Sequence, residues 1–128
     1  TMITFEQAHD LIKTARNASK GKPIYDMPNT RVMLVSGTVD DPSCLAIRYY
    51  NTNIVNLYPN GTYMAKTCSW NTRTTKKRIN TLTPLNIKQS KGVWYHNSQP
   101  FYSGIVVNQD GSLLEDNSSL SSVKTITV

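Results

Sequence analysis

Tight-turn signals set between short apolar runs constrain the fold of this chain more than any other feature. IVNLY (54–58) and TYMAKT (62–67) flank Pro59-Asn60-Gly61. LNIKQ (85–89) and VWYH (93–96) flank Ser90-Lys91-Gly92, and FYSGIVV (101–107) runs into Asn108-Gln109-Asp110-Gly111. Asn-Gly between such runs is a strong hairpin signal, because both residues accept positive φ. RVMLVS (31–36) and CLAIRYY (44–50) read as two further strands, linked through Asp40-Asp41-Pro42-Ser43. Links this short join antiparallel neighbours, since parallel strands need a long crossover.

Two segments carry helical periodicity instead. Thr4-Phe5-Glu6-Gln7 has the form of a capping box, and Phe5, Ala8, Leu11, Ile12 and Ala15 then fall on one stripe. Early acids (Glu6, Asp10) and later bases (Lys13, Arg16, Lys20) suit the helix dipole, and Gly21 and Pro23 stop the run. The expectation is an amphipathic helix over 5–19, with His9 and Lys13 on its solvent side. A second, short helix is predicted over 75–82, capped by Thr74 or Thr75, docked through Ile79 and Leu82 and ended by Pro84. The fold class is therefore α+β: an antiparallel sheet of short hairpin-linked strands, an N-terminal amphipathic helix and a short middle helix. With 128 residues the chain is read as one domain over 1–128. The polar segment near 115–122 reads as a flexible linker, and VKTITV beyond it as an edge strand.

Charge bounds the partners. Fourteen Lys and Arg stand against eight Asp and Glu, a net charge of +6. Such a basic protein favours polyanions: nucleotides, nucleic acid or an acidic protein face. Cys44 and Cys68 lie in apolar or strand-like contexts and read as free thiols. His9, Cys44, Cys68 and His96 have no ligand spacing among them, so no metal and no cofactor are expected. No run approaches a membrane span, and TMITFEQAHD lacks the basic segment and apolar run of a secretory leader. The predicted setting is intracellular.

The strongest candidate for a site is SWNTRTTKKRIN, residues 69–80. Helix starts favour acids, because their free N–H groups make that end positive. Here Arg73 precedes the predicted helix and Lys76, Lys77 and Arg78 fill its first turn. An anion at that point would account for the inversion. Thr74, Thr75 and the helix N–H groups would hold a phosphate, Arg73, Lys76 and Lys77 would neutralise it, and Trp70 would stack on a base. The competing reading makes Trp70 a core residue, the threonines caps and the cations solvated; Arg78, one turn before Leu82, fits the packed side of the helix. Arg48 and Tyr50 on a strand add a cation and an aromatic that suit base stacking, although such tyrosines are commonly half-buried sheet residues. Trp94, Tyr95 and His96 read better as core. No phosphate loop, nucleophile elbow or HExxH occurs, and the carboxylates are scattered, so no enzyme is expected.

Residues 44–107 resemble a family of small hypothetical proteins of bacteriophages. The family's shared core carries an H-x-T-D-I-V type segment, a D-G-T turn, the string G-G-W-x-T-x-T-T-x-x-R-I-N and a K-G-x-W-Y hairpin. The matching residues are Asn51-Thr52-Asn53-Ile54-Val55, Asn60-Gly61-Thr62, then Trp70, Thr72, Thr74, Thr75, Arg78, Ile79 and Asn80, then Lys91-Gly92-Val93-Trp94-Tyr95. Cys68-Ser69 replaces the usual Gly-Gly, which alters any site where a ligand approaches that backbone. The resemblance implies phage origin and the host cytoplasm, and small phage proteins of this type include nucleotide-binding sponges that counter host defence. The expected function is non-enzymatic binding of a phosphate-bearing ligand, a small nucleotide first. DNA or RNA binding is the alternative, and a protein-interaction or virion component the next. A homo-oligomer fits each of them.

Overall fold

Thr4 begins the first helix as expected. In the computed structural model, which describes residues 2–17, 20–67 and 72–114, α1 spans Phe5–Lys13. The Thr4 hydroxyl accepts the Gln7 N–H at 3.1 Å and Gln7 Oε1 accepts the Thr4 N–H at 3.0 Å, closing the capping box. The helix ends well before residue 19. Thr14 caps it, with its hydroxyl donating to Leu11 O at 2.8 Å, and Arg16 and Lys20 lie beyond the helical run. A side chain that bonds back to the last carbonyl offers the backbone an alternative to another turn. Gly21 must then take φ +75, and a β-carbon there would collide with Val32 O and Met33 Sδ, so no side chain fits.

Six strands form the main sheet in the order β1 (Lys22–Pro23), β2 (Thr30–Gly37), β3 (Pro42–Tyr49), β4 (Thr52–Leu57), β5 (Tyr63–Ala65) and β9 (Ile105–Val107), every pair antiparallel. Between β5 and β9 the chain makes α2 (Arg73–Leu82) and a three-stranded sheet of β6 (Ile87–Ser90), β7 (Val93–His96) and β8 (Gln99–Pro100). The class is α+β. FYSGIVV contributes only its last three residues to a strand, and VKTITV and 115–122 lie outside the described residues.

The turns follow the predicted places but not all the predicted conformations. At Pro59-Asn60-Gly61 only Gly61 has positive φ (90°). The Gly61 N–H donates to Tyr58 O, and Asn60 Oδ1 accepts from the Thr62 N–H and hydroxyl. Pro59 fixes φ near that of a type I turn, and the glycine follows as the left-handed residue. Asn108–Ser112 repeats this pattern, with Gly111 at φ 90° and Asp110 accepting from Ser112. The two-residue turn with positive φ at both positions occurs instead at Lys91-Gly92, and again at Asn97-Ser98.

Period-two alternation sends Val32, Leu45, Ile47, Val55, Leu57, Tyr63, Ala65, Ile105 and Val107 to one face of the large sheet. Ala8 and Ile12 of α1, Ile79 and Leu82 of α2, and Leu85, Ile87 and Trp94 close over that face to form the core. Tyr63 reaches across it and donates its hydroxyl to Ile3 O at 2.7 Å. The opposite face carries Met33, Ala46 and Asn56 in one cross-strand row, with Cys44 beyond them, all buried and separate from the core.

Candidate anion-binding surface

The middle helix starts two residues earlier than its hydroxyls suggest. Thr72, not Thr74 or Thr75, is the N-cap: it has extended φ and ψ, and its hydroxyl accepts the Thr75 N–H at 3.1 Å. Thr75 is fully buried and its hydroxyl pairs with that of Thr72 at 3.0 Å. Both polar groups proposed for a ligand at Thr75 are therefore engaged within the cap. Thr74 is half-buried.

Moving the start back changes which cations crowd it. Arg73 becomes the first helical residue and Lys76 closes the first turn, with Lys77 next. Arg73 and Lys77 are exposed and Lys76 half-buried, and the turn holds no acidic residue. This inversion of the usual charge preference disfavours the isolated helix by about 0.3–1 kcal/mol per cation.

Arg78 belongs to the packing. Its Nε donates to Thr30 Oγ1 at 3.0 Å, its Nη2 to Pro28 O at 3.4 Å, and its guanidinium lies 5.6 Å from the centre of the Tyr49 ring. Tyr50 follows β3 at φ 55° and is 54% exposed, with its ring edge-on to Tyr49 at 4.7 Å. So Tyr50 connects to α2 through Tyr49 and Arg78, in the helix's second turn. Arg48 does not join this group. It points to the opposite face of the sheet, where Nε donates to Asn53 Oδ1 at 2.9 Å. Trp70 and Cys68 lie outside the described residues.

Several motif residues hold the fold rather than a ligand. Asn80 brackets the backbone of Ile87, accepting its N–H at 2.7 Å and donating to its carbonyl at 2.9 Å. His96 is buried; Nδ1 accepts the Asn86 N–H at 3.0 Å and Nε2 pairs with Gly111 O at 2.7 Å. His9 is not simply solvated, because its Nε2 meets Val39 O at 2.7 Å and ties α1 to the β2–β3 turn. A hollow of about 550 Å³ on the outer face of the small sheet is lined by Asn86, Lys88, Ser90, Tyr95, Asn97 and Ser98, so Tyr95, unlike Trp94 and His96, is not the core residue expected. Among the described residues no group of three or more His, Cys, Asp or Glu comes together as a metal site, and no helix is long and apolar enough to cross a membrane.

Sequence reasoning missed Arg31. Its register partner is Arg48, and its Nε is buried without a hydrogen-bond partner. Alternation along RVMLVS and CLAIRYY puts both arginines on the face away from Val32 and Ile47, but pairing register cannot be read from either strand alone.

The model of the Kyanoviridae Gp96 protein family matches residues 9–115. No curated protein and no solved structure matches the chain.

Proposed function

The chain belongs to the Kyanoviridae Gp96 protein family, a phage protein family, and we propose that within it this protein is a non-enzymatic binder of a phosphate-bearing ligand. A small nucleotide is the first choice, and a nucleotide signal of host defence in the host cytoplasm fits that choice. The observation that carries the reading is the start of α2, where Arg73, Lys76 and Lys77 gather in and beside a first turn without an acid. A phosphate there converts an unfavourable charge–dipole arrangement into a favourable one. Thr74 and the backbone at the helix start remain the polar partners of choice, since Thr72 already occupies Thr75. Tyr50, exposed beside Tyr49 and Arg78, supplies an aromatic edge along the same helix.

Thermal unfolding against nucleotides, cyclic dinucleotides and short oligonucleotides tests this. A ligand at 100 times its Kd adds about 2.7 kcal/mol, roughly 10 °C for a domain of this size. R73A/K77A should lose that shift while keeping the fold. K77E should raise the melting temperature of the free protein slightly and abolish the ligand effect. An undiminished shift in both variants sinks the reading.

Nucleic-acid binding is the second reading, favoured by the cations on both sides of the large sheet: Arg31 and Arg48 on one, α2 on the other. It predicts a steep fall in affinity with salt, because several phosphates are neutralised together. A single nucleotide predicts a shallow one.

A further inference from the structure

Residues opposite one another in an antiparallel pair have β-carbons about 4.5–5.5 Å apart, and like charges there oppose pairing. β2 and β3 nevertheless place Arg31 directly opposite Arg48. Among the described residues neither guanidinium meets a carboxylate; the ion pair present, Lys13 with Asp10, is elsewhere on α1. Arg48 is partly satisfied by Asn53, whereas Arg31 Nε is a buried donor with nothing to donate to. Buried orphan donors on a charged group are costly and rare, so this one calls for an acceptor.

The next row of the same face holds the complementary defect. Asn56 is 9% exposed, its Nδ2 donates to Tyr58 Oη at 3.3 Å, and its Oδ1 is buried without a partner. Asn56 lies opposite Ala46, two residues before Arg48 on β3. Two residues of strand rise set the rows about 7 Å apart. Lys66 adds a third cation. Lys66 lies two residues beyond Met64, the register partner of Asn56, so alternation brings it to this side; burial raises the Cys44 thiol above its ordinary range, opposed by a hydrogen bond with Tyr58 and then the Lys66 charge. One face thus combines an unpartnered cationic donor, a second cation against it and, a row away, an unpartnered acceptor.

We propose that this face binds an oxyanion between Arg31 and Arg48, carried by a ligand whose hydroxyl or amino donor reaches Asn56 Oδ1. That chemistry is a phosphate monoester with a donor about two strand residues away, as in a sugar phosphate. Guanidinium groups suit this role because their planar forks match phosphate oxygens. The site is separate from the start of α2 and stands whether or not that one binds.

Calorimetric titration with inorganic phosphate and with ribose 5-phosphate, together with NMR of the arginine Nε–Hε signals, tests it. Phosphate should move the Arg31 signal in the unaltered protein and equally in R73A/K77A. R31M should lose at least tenfold in affinity for both probes, and at low salt without anion it should melt no lower than the parent. Ribose 5-phosphate should bind more tightly than phosphate, and N56L should remove the difference. An Arg31 signal that no probe moves overturns the proposal. So does binding that R73A/K77A abolishes and R31M leaves intact, since the anion would then belong to α2 alone. The NMR readout on the unaltered protein decides the matter even if a variant fails to fold.

Discussion

Asn80 shows how much of the motif on α2 is structural. Its amide takes both backbone groups of Ile87, as a neighbouring strand would, and so fastens the helix to the small sheet. Replacing it with alanine strands two partly buried backbone groups, at about 1–3 kcal/mol. Asn80→Ala should lower the unfolding free energy by that amount, read as a lower urea midpoint at unchanged m, without moving the affinity for a ligand at Arg73 and Lys77; an unchanged midpoint would show that Ile87 finds other partners. Thr72, Thr75, Arg78 and Ile79 divide in the same way, all turned to cap, clamp or core. The sequence signalled the placement of Arg78 through its spacing from Leu82. It gave no sign of the part played by Asn80, because a side chain bonding to backbone seven residues away leaves no periodic trace.

At the level of elements, the two type I hairpins offer a controlled comparison. Gly61 and Gly111 share φ 90°, but a β-carbon at Gly61 would find Gln109 Oε1 at 3.6 Å, while one at Gly111 would meet the Pro84 carbonyl oxygen at 3.0 Å. Gly61→Ala should cost about 1–2 kcal/mol, the penalty of a left-handed alanine. Gly111→Ala should cost more, since Pro84 must also give way; equal losses in chemical denaturation would refute the crowding. Both turns were legible from Pro-Asn-Gly and Asp-Gly. Their conformation was not: in each only the glycine takes positive φ, and the residue before it hydrogen-bonds forward through its side chain. α1 ended early for a similarly local reason, a threonine hydroxyl competing for the last carbonyls, which apolar spacing cannot register. The start of α2 was misplaced by two residues because Thr72, Thr74 and Thr75 are equivalent as caps in sequence, and only burial separates them.

Across the whole molecule, burial links stability to alkali. Burial lifts Cys44 above its ordinary 9.0, and burial followed by the Glu6 charge lifts Tyr63 above 10.0. Below pH 9 both groups are protonated in folded and unfolded chains alike, and their stabilisation is intact. Above it the unfolded chain releases protons that the fold retains, so stability declines until the folded groups themselves ionise. Urea midpoints should fall progressively from pH 9 to 11, and Cys44→Ala should flatten the first part of the fall; a level profile would contradict the burial argument. The insertion of α2 and the small sheet between β5 and β9 has a kinetic consequence. Strands β1 to β5 form a meander whose closures are all short, but Tyr63 finds Val107 only after some forty intervening residues have been gathered in. Loop-closure entropy grows with that length and precedes any reward from the contact. The meander should therefore assemble as an early unit and β9 dock last, so that substitutions at Ile105 and Val107 change the unfolding rate far more than the folding rate, whereas the final edge setting the pace would show as slowed folding.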